Sequence, residues 1–245
     1  MRHERHPLLL VSALLSLLVL LGIYWMSRVS TAVKGNRLSA LAMLAAIVIV
    51  LVKENILTEA SVLLGLALGT ALGIVMARRV KMITMPQMVG LLNGLGGLAS
   101  ALAALLTLQS NPALPSFERF TAMLALAVGA LTFTGSLVAA GKLHRLLPQK
   151  PIALPSHRLL TGLSALLTAL LLVLPLMQSG QTMLYAVLAL VFSLALGVLI
   201  ALPVGGADMP ITISLLNSTS GVAAAIAGMR SEEHTSELQS RETIS

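Results

Sequence analysis

The sequence predicts an all-α integral membrane protein, a polytopic helix bundle with about eight transmembrane helices. Hydrophobic residues make up 57% of the chain and charged residues 10%, whereas soluble domains carry about 25% charged residues. The mean hydropathy is +0.94. Apolar runs near the roughly 20 residues that cross a bilayer recur along the chain. They cover residues 8–27, 36–53, 57–76, 85–108, 119–141, 158–178, 181–203 and 210–229.

The first span follows Arg2, His3 and Arg5, a charged start that resembles a signal peptide. It lacks an Ala-x-Ala cleavage site, so we predict a helix that remains in the membrane. Later spans are rich in glycine, which lets helices approach closely in lipid. Close packing is therefore predicted on the third, fourth and fifth spans, at Gly65, Gly69, Gly73, Gly94, Gly97, Gly129, Gly135 and Gly141.

Charged residues between the spans predict the orientation of the helices. Basic residues concentrate in three odd-numbered loops, at Arg28, Lys34, Arg37, Arg78, Arg79, Lys81, Lys142, Arg145, Lys150 and Arg158. The even-numbered loops carry no excess of basic residues, and the seventh loop has Asp208 as its one charge. Because positive loops stay in the cytoplasm, we predict cytoplasmic odd loops and an N-terminus outside.

The last residues of the chain, 230–245, differ abruptly from the apolar helix before them because they are polar and charged. Residues 230–240 resemble one translated reading frame of a common sequencing-adapter oligonucleotide. A non-native segment of this kind carries no information about the fold. We therefore expect a transmembrane domain at 1–229, followed by a non-native tail in a truncated gene product.

Several classes of function do not fit the sequence. The chain has no cysteine, which removes disulfides and thiolate metal sites, and we expect no bound metal. The net charge of +7 could indicate nucleic acid binding, but aromatic residues are 3% and the basic residues fit membrane topology. We therefore expect no nucleic acid partner. Gly94-Leu-Gly96-Gly97 lies inside an apolar span without a preceding strand, so it is not a dinucleotide loop.

One motif occurs twice in the chain, 124 residues apart, and it reads Met85-Pro-Gln-Met-Val-Gly-Leu-Leu-Asn93 and then Met209-Pro-Ile-Thr-Ile-Ser-Leu-Leu-Asn217. Between residues 84–105 and 208–229, nine of 22 positions are identical. Composition explains the Leu and Ala matches but not Met-Pro and Asn in register. Pro fits the first turn of a helix, and an amide inside a membrane needs a partner. We therefore predict two parallel helices whose Asn residues share one polar site.

Neutral polar residues are the candidates for a polar path, because no ionisable residue lies near the centre of a predicted span. Asn93 and Asn217 are the strongest, since an amide has two donors and one acceptor to satisfy. Hydroxyls can instead bond back to carbonyls of their own helix. The hydroxyl candidates are Thr132, Thr134, Ser136, Ser214, Ser218 and Ser220. Asp208 either caps the eighth helix or contacts a partner domain at the cytoplasmic face.

Four stretches carry a family resemblance: Gly205-Gly-Ala-Asp-Met-Pro with Leu216-Asn-Ser-x-Ser-Gly221, Gly129-Ala-Leu-Thr-Phe-Thr-Gly-Ser-Leu-Val-Ala-x-Gly-Lys142, Met85-Pro-x-Met-Val-x-Leu-Leu-Asn93, and Lys150-Pro…Leu154-Pro. Together they resemble the β subunit of the proton-translocating NAD(P)+ transhydrogenase, over about residues 30–229. The resemblance implies nine membrane helices in this subunit, followed by a cytoplasmic NADP(H)-binding domain. We therefore expect that the ninth helix and that domain are absent from this chain.

The activity that the resemblance implies is Re/Si-specific hydride transfer from NADH to NADP+, coupled to inward proton translocation across a bacterial inner membrane. NADP(H) and NAD(H) would bind soluble domains of the full complex, one of them on the α subunit. This chain would then carry no catalytic residue and no nucleotide site, and it would be inactive alone. The implied surroundings are α subunits, a dimer of the complex and membrane lipid.

The resemblance also assigns roles to individual residues. It places Asn217 in the proton path and Asp208 at the face that meets the NADP(H) domain. With the polar candidates, the predicted path comprises Asn93, Asn217, Ser136, Thr134 and Ser218. Part of the family has a protonatable His where this chain has Asn93. A branch with a split α subunit resembles this sequence instead, with the His on a small membrane α2 subunit, and we predict that arrangement here.

Two other classes of function stay open from the residues alone. One is a secondary transporter of a small solute, with its site between the repeated helices. The other is a structural membrane subunit without a transport role. The genomic reading frame separates these alternatives, because a transhydrogenase frame continues past residue 229 into one more helix and a Gly-rich β-α-β domain.

Overall fold

The computed structural model describes residues 2–53, 56–177 and 179–224, and the regular elements within these ranges are helical. The long helices are α1 (Arg2–Met26), α2 (Ala32–Lys53), α3 (Ala60–Arg79), α4 (Met85–Ser110), α5 (Ser116–Leu143), α6 (His157–Met177), α7 (Thr182–Ala201) and α8 (residues 209–224). Short 3-10 turns occupy Ile56–Thr58, Met82–Thr84, Ser179–Gln181 and Gly206–Asp208. The predicted all-α fold class is confirmed.

Six of the described helices, α2 to α7, are long and apolar enough to cross a membrane. The described apolar part of α1, Leu10–Met26, is shorter than these. Residues 225–229, which end the eighth predicted span, lie outside the described residues, as does the predicted non-native tail at 230–245. The chain is therefore a polytopic membrane protein, as the sequence predicts.

Two compact units divide the chain after Arg79. In the first unit α1 and α2 cross where Gly22 meets Gly35, because a Cβ on Gly22 would lie 2.8 Å from the Gly35 carbonyl oxygen. The Ser39 hydroxyl donates to the Val19 carbonyl oxygen at 3.4 Å. Helix α3 has no buried residue in the described part of the chain. The close packing predicted on α3 is not observed there, since open space surrounds Gly65, Gly69 and Gly73.

Helix α5 forms the centre of the second unit. It packs against α4, α6 and α7, and α8 joins it through a cluster of Met209, Ile213 and Ala139. Alanine dominates the larger core between α4, α5, α6 and α7, and its buried members are Ala101, Ala104, Leu108, Leu114, Ala122, Met123, Leu126, Ala130, Leu171, Ala186 and Ala189. Such short side chains let helix backbones approach closely in a membrane.

Glycine pairs set the closest approaches of α5 to its neighbours. A Cβ on Gly97 of α4 would lie 2.7 Å from the carbonyl oxygen of Gly129 on α5. On another side of α5, a Cβ on Gly135 would lie 3.3 Å from the carbonyl oxygen of Gly197 on α7. The predicted close packing at Gly97, Gly129 and Gly135 is therefore confirmed. The approach of α4 also brings small polar side chains of the two helices within hydrogen-bonding distance.

Candidate functional site

Asn93 and Ser136 form a polar contact between α4 and α5. Gly94 lies beside this contact, and a Cβ on Gly94 would lie 3.2 Å from the Ser136 Cβ. The Asn93 Nδ2 atom donates a hydrogen bond to the Ser136 hydroxyl oxygen at 2.9 Å. Ser136 is fully buried, whereas Asn93 is half-buried. The amide thereby finds a partner among apolar surroundings, where an unpaired polar group would be costly.

Thr132 and Ser220 form a second polar contact, between α5 and α8. Their hydroxyl oxygens are 2.8 Å apart, and Thr132 is fully buried. The Ser220 hydroxyl also donates to the Leu216 carbonyl oxygen of its own helix at 3.0 Å. Since that bond engages the Ser220 proton, Thr132 is the donor in the pair. Thr132 precedes Ser136 by one helical turn, so both contacts lie on successive turns of α5.

These four side chains, Asn93, Ser136, Thr132 and Ser220, are called the polar ladder below. Three helices, α4, α5 and α8, contribute its members. The predicted path included Asn93 and Ser136 but omitted Thr132 and Ser220. The spacing of Thr132 and Ser136 is the signal that could have found the second contact, because residues four apart share one helix face.

Thr134 lies on a different side of α5. Its hydroxyl donates to the Leu194 carbonyl oxygen of α7 at 2.8 Å and approaches the Ala130 carbonyl oxygen of its own helix at 3.3 Å. Gly197 leaves room for this contact, since a Cβ on Gly197 would meet the Thr134 hydroxyl. The structure therefore brings Thr134 to α7 and not to Asn93.

Asn217 and Ser218 lie on the exposed side of α8. The Ser218 hydroxyl donates to the Ser214 carbonyl oxygen at 2.9 Å, which is the local bond that hydroxyls in helices commonly make. Leu216, the residue before Asn217, is buried against α5 instead. Within the described part of the chain, the two motif Asn residues are therefore not brought into one shared contact.

Asp208 ends the 3-10 turn that precedes α8, and it is exposed. Its backbone N–H donates to the Gly205 carbonyl oxygen at 3.0 Å. The neighbouring Gly206 N–H donates to the Gln149 carbonyl oxygen at 2.8 Å, which holds the turn against the connection between α5 and α6. The Asp208 carboxylate therefore stands at the surface on a fixed backbone, at the C-terminal end of α5.

A cavity of about 300 Å³ lies between α4, α5 and α8. Small and hydroxyl-bearing residues line it, among them Ser100, Thr107, Thr121, Gly129 and Ser220. Ser220 belongs both to this lining and to the polar ladder, so the ladder reaches the cavity. The described lining has no charged side chain that could recognise an ionic solute.

Comparisons with known proteins agree on one family. A family model described as NAD(P) transhydrogenase beta subunit matches residues 9–235, which includes residues 230–235 of the tail that we predict to be non-native. The chain is also similar to NAD(P) transhydrogenase subunit beta of Rhodospirillum rubrum and of a named strain of that species. Each is 36% identical over 225 residues, covering 88% of this chain and 47% of the relative. The chain thus spans about half the length of these relatives.

Proposed function

Because the chain belongs to the NAD(P) transhydrogenase beta subunit family, we propose that it forms the membrane proton path of a Re/Si-specific transhydrogenase. The complex would couple hydride transfer from NADH to NADP+ to inward proton translocation. The polar ladder carries this proposal, since it sets hydrogen-bonded hydroxyl and amide groups between three helices of an apolar unit. Polar groups at such positions are costly in a membrane and mark ion or proton pathways.

The ladder has the chemistry of a relay. A hydroxyl both donates and accepts a hydrogen bond, so Ser136 could give up its own proton only as another proton reaches its oxygen, and the Asn93 amide orients the hydroxyl by donating to that oxygen. Thr132 donates to Ser220, and Ser220 donates to a carbonyl oxygen. A water molecule between the two contacts would link Ser136 to Thr132. A proton would then hop from one oxygen to the next, and rotation of the hydroxyls would reset their donor and acceptor roles. The cavity beyond Ser220 would admit water to one end.

A titrating group is missing from the ladder, because neither an amide nor an aliphatic hydroxyl gains a proton at ordinary pH. We therefore propose that a His on a small membrane α2 subunit supplies it next to Asn93. The half-buried state of Asn93 supports this, since one side of the amide remains accessible to another chain. A neighbouring gene for an α2 subunit without an intramembrane His would contradict the proposal.

Asn217 and Ser218 have a different role in this scheme. An amide that faced lipid would be costly, so we propose that their exposed side of α8 is covered by a further helix of the complex and completes the path there. Thr134 donates to α7, and we assign it to helix packing outside the ladder. Asp208 would contact the NADP(H)-binding domain at the cytoplasmic face, with the N-terminus of the chain on the other side of the bacterial inner membrane.

We propose that the nucleotide sites belong to other parts of the complex. NADP(H) and NAD(H) would bind its soluble domains and not this chain, which would be inactive without them. We also propose that the chain associates with the α subunits and that two copies of the complex form a dimer. The uninterrupted genomic reading frame tests this part directly. It should continue past residue 229 into a ninth helix and a Gly-rich β-α-β domain, and a frame that stops there would contradict it.

A His relocation experiment tests the proton path in the intact complex. Replacing the α2 His by Asn should reduce proton-coupled hydride transfer by roughly 100-fold or more, as loss of a proton-transferring group does. Adding Asn93→His to this variant should restore part of the rate, because the titrating group returns beside Ser136. Gly96→Ala is the matched control, since open space surrounds Gly96 on the same helix. An unchanged rate after removal of the α2 His would overturn the proposal.

A further inference from the structure

Lys142 is fully buried at the C-terminal end of α5. Its Nζ atom donates to the carbonyl oxygens of Leu202 and, at 2.7 Å, Val204. Both carbonyls follow the last residue of α7, whose C-terminal end carries partial negative charge. A lysine is rarely buried unless it is paired. Here the end of α7 supplies the compensation for its charge.

The segment that Lys142 binds is residues 202–208, which joins α7 to Asp208 and α8. Backbone hydrogen bonds from the connection between α5 and α6 also hold this segment. The Ile152 N–H donates to the Leu202 carbonyl oxygen at 3.0 Å, and the Gly206 N–H donates to the Gln149 carbonyl oxygen at 2.8 Å. Asp208 is exposed at the end of this tethered segment. Its position therefore depends on the contacts that fix residues 202–206.

We propose that Lys142 is a positioning residue that ties the segment 202–208, and with it Asp208, to helix α5. Ser136 lies six residues earlier on the same helix, so a shift of α5 at the polar ladder reaches Asp208 through the Lys142 ammonium. The contacts of the Lys142 ammonium with the Leu202 and Val204 carbonyl oxygens are called the tie below. The role of the tie in coupling the polar ladder to Asp208 rests on the proposed function.

The opposite end of α5 provides a matched comparison. Arg119 is buried there, and it donates to the Pro175 carbonyl oxygen of α6 at 2.9 Å and to the Leu114 carbonyl oxygen at 2.7 Å. Arg119 thus makes the same kind of contact, a buried cation on helix-end and loop carbonyls. Its loop carries neither Asp208 nor a ladder residue. Loss of Arg119 should therefore loosen the opposite end of the unit alone.

Cysteine labelling tests the tie, because this chain contains no native cysteine. Ala207→Cys reports on the tethered segment, and Ala113→Cys reports on the loop at the other end; both positions are exposed. The full-length subunit is used with any cysteine beyond this chain replaced, and it is assembled with cysteine-free partners. There Lys142→Met should raise the maleimide labelling rate at position 207 by about tenfold through local opening. It should leave the rate at position 113 within about twofold of the parent rate. Arg119→Met should give the reverse pattern. Lys142→Arg keeps the cation on a larger side chain, so it should accelerate labelling at position 207 less than Lys142→Met does.

Unchanged labelling at position 207 in Lys142→Met, or equal acceleration at both positions, would overturn the tie. The use of the tie in coupling is tested by proton-driven hydride transfer in the same membranes. Lys142→Met should lower that rate and Lys142→Arg should restore it. Faster labelling at position 207 with an unchanged rate would overturn the coupling role. If the parent complex transferred no hydride, the proposed function would fail, while the labelling pattern would still decide whether Lys142 positions the segment.

Discussion

Helices α4 and α8 carry the same motif and pack on the same helix, yet they present their Asn residues in different directions. On α4, Asn93 faces α5 and binds Ser136. On α8, Asn217 is exposed, and Leu216 and Ser220 face α5 instead. The repeat therefore keeps the position of the amide along the helix but not the side of the helix that meets the neighbour.

The residues beside the motif explain this difference. On α4, Gly94 and Gly97 share a side with Asn93 and allow backbone contact with α5, which directs the amide inward. On α8, the corresponding positions are Ser218 and Gly221, and the Leu216 side chain fills the space beside Gly135. Helix α8 thus packs closely on α5 because a large side chain of α8 lies over a glycine of α5. The rotation of a membrane helix therefore follows from where the small residues of either helix lie at their contact.

The largest effect should come from filling the glycine contact of α4. Gly97→Leu places a side chain where a Cβ would already lie 2.7 Å from the Gly129 carbonyl oxygen. The backbones of α4 and α5 must separate, which costs about 1–3 kcal/mol or more and also breaks the Asn93 contact. Thermal unfolding of the solubilised complex should show a clearly lower midpoint.

The neighbouring residue is the control for this prediction. Gly96 lies on the open side of α4, where its Cβ position meets no other helix of the described chain within 4 Å. Gly96→Leu should not lower the unfolding free energy, because its side chain meets open space and Leu has a higher helix propensity than Gly. Equal destabilisation by the two substitutions would mean that the α4–α5 contact is not responsible, because Leu has a higher helix propensity than Gly and the exposed position has room for it.

A smaller effect should follow from removal of the inward hydroxyl. Ser136→Ala leaves the half-buried Asn93 amide without its partner, which costs about 0.5–1.5 kcal/mol, the net contribution of a typical hydrogen bond. Ser218→Ala is the matched control on α8, since the Ser218 hydroxyl is exposed and bonds its own helix. The difference between the two midpoints measures how much more the inward contact contributes. A midpoint for Ser136→Ala that equals the control would show that water replaces the hydroxyl.

The α8 contact should be weaker still. Thr132→Val and Ser220→Ala each remove one hydroxyl of the pair, and their double-mutant cycle should give a coupling energy of about 0.6 kcal/mol, the average for hydrogen bonds between membrane helices. Pairing Thr132→Val with Ser218→Ala gives a control cycle that should show no coupling. A zero coupling energy for both cycles would remove Thr132 and Ser220 from the polar ladder.

The fold class could be predicted because hydropathy decides where backbone hydrogen bonds must be satisfied internally. Helix ends were harder to predict, because an apolar run ends near a charged residue whereas the helix continues past it. Helix α2 begins at Ala32, ahead of Lys34 and of the predicted start at residue 36, and α5 begins at Ser116, ahead of Glu118 and of the predicted start at residue 119. Buried cations at both ends of α5 were not predicted as contacts, since their partners are carbonyls, which every residue carries.

The candidate site could be predicted only in part, because the sequence shows which residues are polar but not which side of a helix meets a neighbour. Asn93 and Ser136 stand out as polar residues in apolar helices, and the structure joins them. Asn217 stands out equally, but its direction depends on the rotation of α8, which is set by Leu216 against Gly135. Motif comparison between α4 and α8 cannot supply that rotation, because it depends on tertiary packing.

The smallest effect on stability, together with a large effect on activity, is expected for Asn217→Leu. The substitution removes an exposed amide on the side of α8 away from Leu216, so the unfolding midpoint should stay within the range of Ser218→Ala. Proton-coupled hydride transfer in the assembled complex should nevertheless fall, because the proposed path continues along this side of α8. Asn93→Leu should reduce both quantities, since Asn93 is tied to Ser136. If Asn217→Leu preserved activity as well as stability, the exposed side of α8 would be a lipid surface, and the path would run through the α4–α5 side of the ladder alone.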